Sequence, residues 1–149
     1  MLSTKDGGST WTVSQPVVKS SLMAVAFRDA ENGVAVGLEG VILVTRDGGK
    51  TWNRAAATRE DASGAEVKLH FYDVAWDAAN SRWLVVGDQG SYAASDAESA
   101  AWKAGRLGPQ ELAWHTRIVP GPAGFYVAGA SLGEWSGRES GWRRLIADR

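Results

Sequence analysis

Short runs of hydrophobic residues alternate along the chain with turns that contain glycine. The first three runs cover residues 22–27, 34–37 and 41–44, and Asn-Gly, Glu-Gly and Asp-Gly-Gly turns follow them in that order. Runs of this length next to such dipeptides are typical of strands joined by tight hairpins. With a fourth run at residues 53–55, they predict a four-stranded antiparallel sheet.

The same order of runs and turns returns twice further along the chain. The second unit has runs at residues 71–76, 83–87 and 91–94 and a strand from Trp102; the third has runs at residues 113–119, 125–129, 133–136 and 142–146. Each unit is expected to form one sheet. Because no amphipathic helical pattern interrupts the units, helix content is expected to be close to nil.

An octet with the sequence TRDGGKTW, at residues 45–52, precedes the last strand of the first unit. Residues 4–11 repeat it as TKDGGSTW, and residues 95–102 and 136–142 hold degenerate copies that keep the Trp. The intervals between Trp11, Trp52, Trp102 and Trp142 are 41, 50 and 40 residues. Strand-rich repeats of about 40–45 residues are typical of β-propeller blades. The predicted fold is therefore all-β, a partial β-propeller of four-stranded antiparallel blades.

The units divide the 149 residues into one domain of about three and a half blades. Residues 1–18 correspond to the outer half of a blade, and whole blades cover approximately residues 19–57, 66–107 and 110–149. A closed propeller needs about 4–8 blades. Because uncovered sheet edges promote association, we expect either a homo-oligomer, such as a dimer, or the remainder of a longer propeller. The polar residues 58–66 are expected to form an enlarged loop between blades.

The residue types of the octet suit a self-contained turn. An Asp accepts hydrogen bonds from backbone N–H groups in its own turn, the glycines adopt conformations that strain other residues, and the Trp fits between neighbouring sheets. The octets resemble the Asp-box, or BNR, repeat. This resemblance implies a structural role, away from the ligand face, for Thr4, Asp6, Gly8, Trp11, Thr45, Asp47, Gly49, Trp52, Asp96, Trp102 and Trp142.

Residues 24–52 resemble the blade of the photosystem II stability/assembly factor family. The similarity rests on AVAF at residues 24–27, NGVAVG at residues 32–37 and GVIL at residues 40–43, followed by the octet. It implies a non-catalytic β-propeller that acts as a scaffold or binding module for a protein or peptide partner. Proteins of that family have seven blades and usually work outside the cytoplasm, although residues 1–6 lack the apolar segment of an export signal.

Composition argues against several other classes of function. Sixteen basic and seventeen acidic residues give a net charge of −1 without a basic stripe, so no nucleic-acid partner is expected. The chain has no cysteine, and His70 and His115 lie 45 residues apart, so no metal site is expected. No glycine-rich phosphate loop opens a helix, and no stretch approaches the length of a membrane span. Cofactors are not expected either.

A polar surface is predicted where the innermost strands begin. If Gly37, Gly87 and Gly129 are aligned, Asp73 and His115 fall at about the same early position of an innermost strand. The next hairpins carry Glu39 and Gln89 at matching positions. Since the innermost strands of a propeller line its channel, Glu39, Asp73, Gln89 and His115 are the candidate binding residues. The alternative is that they are ordinary channel-lining and turn residues.

A sialidase-like glycoside hydrolase, or a carbohydrate-binding propeller fragment, is the alternative function, because sialidases also carry Asp-boxes. Their family chemistry requires three arginines that bind the substrate carboxylate, a Tyr nucleophile with a Glu partner, and an acid Asp. The tyrosines of this chain, Tyr72, Tyr92 and Tyr126, lie in strand patterns where packed aromatics are common, and no arginine recurs on the innermost strands. The sequence therefore favours a protein without catalytic residues.

Overall fold

The computed structural model describes residues 1–15, 17–59 and 64–146. These residues form short strands and two single-turn 3₁₀ segments, Leu38–Gly40 and Asp88–Gly90. The strands are β1 (Leu2–Ser3), β2 (Thr12–Val13), β3 (Leu22–Phe27), β4 (Gly33–Gly37), β5 (Ile42–Thr45), β6 (Asn53–Ala55), β7 (Ala57–Arg59), β8 (Phe71–Asp77), β9 (Arg82–Gly87), β10 (Ser91–Ser95), β11 (Trp102–Arg106), β12 (His115–Gly121), β13 (Gly124–Gly129), β14 (Leu132–Trp135) and β15 (Trp142–Ile146).

The strands form separate sheets that follow the chain. Strands β3 to β6 make the first blade, β8 to β11 the second and β12 to β15 the third, each with antiparallel neighbours in chain order. The hairpin of β1 and β2, here called the half-blade, is a sheet of its own. The innermost strand β8 packs against β3 on one side and β12 on the other. The structure thus confirms an all-β chain with antiparallel blades, consistent with a partial propeller.

The half-blade repeats the outer half of the first blade. Its register pairs Leu2 with Val13 and Ser3 with Thr12. Strands β5 and β6 pair Leu43 with Arg54 and Val44 with Asn53, which is the same register shifted by 41 residues. The two full octets thus close the same hairpin at equivalent places.

The enlarged loop expected at residues 58–66 is wrong in part. Residues 60–63 lie outside the described part of the chain. Before them, β7 pairs in parallel with β11 and adds a fifth strand to the outer edge of the second blade. An unpaired outer strand exposes a row of N–H and C=O groups, and β7 satisfies one such row. Because Thr58 and Arg59 are polar, no hydrophobic run in the sequence predicts this strand. An edge strand needs no alternating hydrophobic pattern.

The hydrophobic core lies between blades. One cluster joins the first and second blades and includes Val34, Val44, Phe71, Trp83 and Trp102. A second cluster joins the second and third blades through Leu84, Val86, Tyr92, Ile118 and Trp135. Each sheet is too thin to bury its own faces, so the stacking of neighbours supplies the hydrophobic stabilisation, at about 1.5–3 kcal/mol for each large side chain that is buried.

The last residue of each second strand is a glycine for a steric reason. A Cβ on Gly37, Gly87 or Gly129 would lie 2.0–2.2 Å from the carbonyl oxygen of Ser21, His70 or Trp114, respectively. Each of these oxygens accepts a hydrogen bond of 3.0 Å from the N–H of the residue after the glycine. The close approach therefore fixes where the chain enters each innermost strand.

Candidate functional site

Two equivalent turns stand at the start of the third strand in the first two blades. The central residues, Glu39 and Gln89, are both exposed and both in the left-handed region, at φ 58°, ψ 33° and φ 54°, ψ 35°. Non-glycine residues adopt this conformation only when surrounding bonds impose it. The two residues hold matching positions in the sequence repeat, and the structure gives them the same backbone conformation.

Contacts to the next stretch of chain impose the turn conformation. The N–H of Gly40 donates to the carbonyl of Leu69 at 2.8 Å, and the N–H of Gly90 donates to that of Ala113 at 2.7 Å. A Cβ on Gly40 or Gly90 would lie 2.1–2.2 Å from another backbone carbonyl of the same connection. Each turn is therefore anchored to the segment that leads into the following blade. The surface that these two turns form with the connections is here called the turn face.

Glu39 is further fixed by two side chains. Its backbone N–H donates to Nδ1 of His70 at 3.0 Å, and the Ser20 hydroxyl donates to its carboxylate at 2.5 Å. Since Nδ1 accepts a hydrogen bond, the proton of a neutral His70 resides on Nε2. The carboxylate of Glu39 remains exposed beside these groups.

Asp73 joins the second and third blades instead of facing solvent. Its carboxylate accepts a hydrogen bond from the N–H of Ile118 at 2.9 Å and lies 3.8 Å from the guanidinium of Arg117. The side chain is buried. A β-bulge between His115 and Arg117 interrupts the β12–β13 ladder at this point. The carboxylate thus bonds a backbone group beside the bulge.

His115 is completely buried. Its Nε2 lies 3.0 Å from the Ser131 hydroxyl, and its ring meets that of Trp142 edge-on with the centroids 5.2 Å apart. Burial lowers the pKa of His115 below its usual value, so the ring is neutral at pH 7. The ring is therefore not exposed on the turn face.

The alignment that placed Asp73 and His115 at one position is two residues off. Phe71 pairs with Gly87, and His115 pairs with Gly129, so His115 corresponds to Phe71. Asp73 corresponds to Arg117. Both innermost strands carry the same bulge, so the difference lies in the hairpin turn, which has four residues between Asp77 and Arg82 but only two between Gly121 and Gly124.

A buried ion pair near His115 was not predicted. The carboxylate of Glu111 accepts two hydrogen bonds from the Arg144 guanidinium, at 3.0 and 3.2 Å, and one from the N–H of Ala113 at 3.0 Å. Burial raises the pKa of Glu111, but the bonds from Arg144 and Ala113 outweigh it and hold the pKa below its usual value. No sequence signal marks the pair, because its members are 33 residues apart, in a connection and in the outermost strand.

The two full Asp-boxes form the same network of hydrogen bonds. In the second copy, the Asp47 carboxylate accepts from the N–H of Thr51 at 2.9 Å and from its hydroxyl at 2.6 Å, while the Thr45 hydroxyl accepts from the N–H of Gly49 at 2.9 Å. In the first copy, the bonds of Thr4, Asp6, Gly8 and Thr10 have the same atoms and lengths within 0.1 Å. All of these bonds stay inside the motif.

The Asp-box lies at the opposite end of the sheet from the turn face. Thr45, its first residue, pairs with Gly33, whereas Ile42 at the other end of β5 pairs with Val36 beside the turn. The motif therefore occupies the end of the sheet remote from Glu39, which favours a structural role.

The third copy differs from the motif in sequence but keeps the hydrogen bonds to its Asp and the positive φ of its turn. Asp96 accepts hydrogen bonds from the N–H groups of Ala100 and Ala101, and Ser99 takes the positive φ that Gly49 has in the full copy. The Trp102 indole N–H donates to the carbonyl of Ser99 at 3.2 Å. The indole nitrogen of Trp52 is buried without a hydrogen-bond partner among the described residues.

Acid should weaken the protein through its Asp-boxes. Hydrogen bonds from Thr10 and Thr51 lower the pKa values of Asp6 and Asp47 to about 2, below the usual 3.8. A depressed carboxyl pKa contributes stability that is complete above the unfolded-state pKa and disappears as the pH falls towards the folded-state pKa. We expect the melting temperature to fall between about pH 4 and pH 2, and to fall less steeply in Asp47→Asn. Equal slopes for both proteins would contradict this prediction.

The described residues also bear on metal binding, on membrane insertion and on the tyrosines that a sialidase would need. In residues 1–15, 17–59 and 64–146, no three His, Asp or Glu side chains are grouped so that they could hold a metal ion. No helix of this part of the chain has the length and hydrophobicity to span a membrane. Tyr92 is buried with its ring centroid 4.7 Å from that of Trp135. A hydrogen bond to Asp88 raises the pKa of Tyr72.

Comparison with known proteins agrees with the blade geometry. Residues 5–70 match the family model described as photosynthesis system II assembly factor YCF48. The chain is also similar in structure to YCF48 from Cyanidioschyzon merolae, with 24% identity and a TM-score of 0.68 over 90% of this chain and 42% of that one. The corresponding values for a structure titled YCF48 bound to D1 peptide are 20%, 0.69, 89% and 43%. No curated protein matches the chain in sequence.

The chain consists of Asp-box propeller blades similar to those of YCF48. The resemblance to the photosystem II assembly factor family that the octets and the first blade indicated is therefore confirmed. At these levels of identity the two solved structures support the fold. The chain spans less than half the length of either YCF48 chain.

Proposed function

We propose that the protein is a non-catalytic binding module whose turn face recognises a protein or peptide partner. The observation that carries the proposal is the repeated left-handed turn, which holds exposed Glu39 and Gln89 in the same conformation on successive blades. Exposed polar groups that are anchored and repeated on successive blades suit a partner peptide that contacts several blades at once. The complex of YCF48 with D1 peptide supports this kind of partner.

Asp73 and His115 have a supporting role in this proposal. The side chain of Asp73 bonds the third blade to the second. His115 contacts Ser131, whose hydroxyl lies 3.5 Å from the carboxylate of Glu111 in the connection that anchors the Gln89 turn. Glu39 and Gln89 are the residues that would touch the partner. No observation favours the carbohydrate-directed alternative.

We also propose that protein covers the two end sheets of the stack, either as a second copy of the chain or as further blades. Large hydrophobic side chains are exposed at both ends: Met23, Val25 and Phe27 on the first blade, and Val119 and Leu145 on the third. Exposed hydrophobic groups on the outer face of an end sheet favour association with another protein surface. A molar mass in solution of twice 15.9 kDa would support the dimer.

A peptide selection tests the turn face. A phage-displayed library of random 12-residue peptides would be selected on the immobilised protein, and the enriched peptides would be titrated against Glu39→Lys/Gln89→Lys. We expect the double variant to weaken binding at least tenfold. Lys50→Glu, in the Asp-box at the other end of the first blade, is the matched control and should change binding less than twofold.

Two results would contradict the proposal. The first is enrichment of peptides that bind the double variant as well as the original protein. The second is hydrolysis of a fluorogenic sialoside by the purified protein, abolished by Tyr72→Phe, since that activity belongs to the glycosidase alternative.

A further inference from the structure

Two arginines line a cavity of about 510 Å³ beside the Gln89 turn. Arg59 is the last residue of β7, and Arg106 is the last residue of β11. Both residues are exposed, and neither guanidinium has a hydrogen bond or an ion pair with a residue in the described part of the chain. The cavity therefore holds two positive charges that no neighbouring carboxylate contacts.

The sheet register places both arginines on one face of the second blade. Arg59 pairs with Ala104 across the β7–β11 ladder, and Arg106 follows Ala104 by two residues, which is one side-chain repeat of a strand. Arg106 also pairs with Ser91 at the start of β10. Because paired residues share a face, the three polar side chains, Arg59, Ser91 and Arg106, project from the same side of the sheet that lines the cavity.

The hydroxyl of Ser91 lacks a hydrogen-bond partner. The residue is 4% exposed, and its Oγ has no donor or acceptor within reach among the described residues. Burial without a partner is unfavourable, because the hydroxyl loses its bonds to water and gains none in return. A ligand oxygen in the cavity that Ser91 lines would supply the missing bond.

Backbone hydrogen bonds hold the walls of the cavity in place. The N–H of Leu107 donates to the carbonyl of Gly90 at 2.8 Å, which ties the end of β11 to the Gln89 turn. The N–H of Val67 donates to the carbonyl of Ala57 at 2.8 Å, which ties the next connection to β7. Val67 and Leu69 of this connection add hydrophobic surface to the lining. The cavity thus combines cationic groups and a hydroxyl with a hydrophobic wall.

A phosphate group fits these side chains better than a carboxylate does. A phosphate ester carries a charge of about −1.5 to −2 at neutral pH and three strong acceptor oxygens. Two guanidinium groups and one hydroxyl supply a matching positive charge and a donor for every oxygen. A carboxylate has only two oxygens, and a single guanidinium can bind both of them.

We propose that Arg59, Ser91 and Arg106 bind a phosphate group, either as free phosphate or as a phosphate monoester whose organic part lies against Val67 and Leu69. The volume of the cavity is within the range of small-molecule sites, about 300–1,000 Å³, and leaves room for such an organic part. The site adjoins the turn face at Gln89. Because its test uses no peptide, it can fail or succeed independently of the binding of a peptide to the turn face.

Titration of the whole protein with inorganic phosphate and with phenyl phosphate, at constant ionic strength, tests the proposal. We expect saturable NMR shifts of the Ser91 and Arg106 amides with both probes. Tighter binding of phenyl phosphate would identify an ester, and equal binding would identify free phosphate. Arg106→Gln should weaken binding at least tenfold, because it removes charge-assisted hydrogen bonds to phosphate.

Ser91→Ala separates a ligand-binding hydroxyl from a structural one. The variant should weaken phosphate binding several-fold, because it removes a donor to the ligand. Without phosphate its melting temperature should be equal to that of the original protein or higher, since the lost hydroxyl had no partner. A lower melting temperature with unchanged phosphate binding would contradict the proposal.

Lys103→Gln is the matched control for Arg106→Gln. It removes the same charge from the same strand, but Lys103 lies on the opposite face of the sheet, so binding should change less than twofold. Glu139→Gln should strengthen binding, because this exposed carboxylate also lines the cavity and repels an anion.

Three results would overturn the proposal. The first is the absence of saturation up to about 10 mM phosphate, a concentration at which even weak specific sites are occupied. The second is equal weakening in Arg106→Gln and Lys103→Gln, which would indicate general attraction by positive charge. The third is binding of acetate to the same amides with the affinity of phosphate, which would remove the preference for a phosphate group.

Discussion

Trp102→Ala is expected to destabilise the protein by about 3–5 kcal/mol, as for other buried tryptophans replaced by alanine. The Trp102 ring is 1% exposed and packs in the cluster between the first two blades with Trp83 and Ala57. Its removal would leave a cavity at the junction of two sheets and free the carbonyl of Ser99. Chemical denaturation, followed by circular dichroism, measures the loss.

The same motif supplies the control for this prediction. Trp11 occupies the equivalent position of the first octet but is 58% exposed. Trp11→Ala should therefore cost less than about 1 kcal/mol. Trp52→Ala, in the buried cluster with Leu43, should cost a few kcal/mol. Similar small losses in all three variants would mean that the octets are only surface turns.

Gly87→Ala is expected to destabilise the protein by about 3 kcal/mol, the upper part of the range for an overpacked site. The φ of Gly87 is −163°, an extended value open to any residue, so the cost is steric. A Cβ would lie 2.0 Å from the carbonyl oxygen of His70, which is backbone and also accepts the N–H of Asp88. The entry of the chain into β8 would have to shift.

Gly108→Ala is the control for the steric argument. Its Cβ would meet the Trp142 side chain at 3.4 Å, which is ordinary contact. We expect a change of less than about 1 kcal/mol in the free energy of unfolding. A loss at Gly108 as large as that at Gly87 would indicate that any added methyl group is harmful and would contradict the specific role of the carbonyl.

The periodic features of the chain could be predicted from its sequence. Four-stranded blades follow from hydrophobic runs and turn dipeptides that are local in the chain, and the octets fix where the outer hairpin closes. The equivalence of Glu39 and Gln89 follows from the Gly three residues after each Gly37 and Gly87. These inferences succeed because each depends on neighbouring residues.

Features that depend on the meeting of distant segments could not be predicted. The strand β7 exists because β11 offers an unpaired edge 45 residues later, and two of its three residues, Thr58 and Arg59, are polar. The ion pair of Glu111 and Arg144 depends on the packing of a connection against the outermost strand. The burial of His115 depends on Ser131 and Trp142, which lie in later segments of the chain.

Nuclear Overhauser effects between backbone protons test the blade architecture most directly. The account predicts three separate four-stranded ladders, β3 to β6, β8 to β11 and β12 to β15, with β7 added in parallel only to β11. Contacts between ladders should come from side chains such as Val34 with Phe71. A continuous ladder that joins β6 to β8, or β11 to β12, would describe a sandwich or barrel instead and would contradict the account.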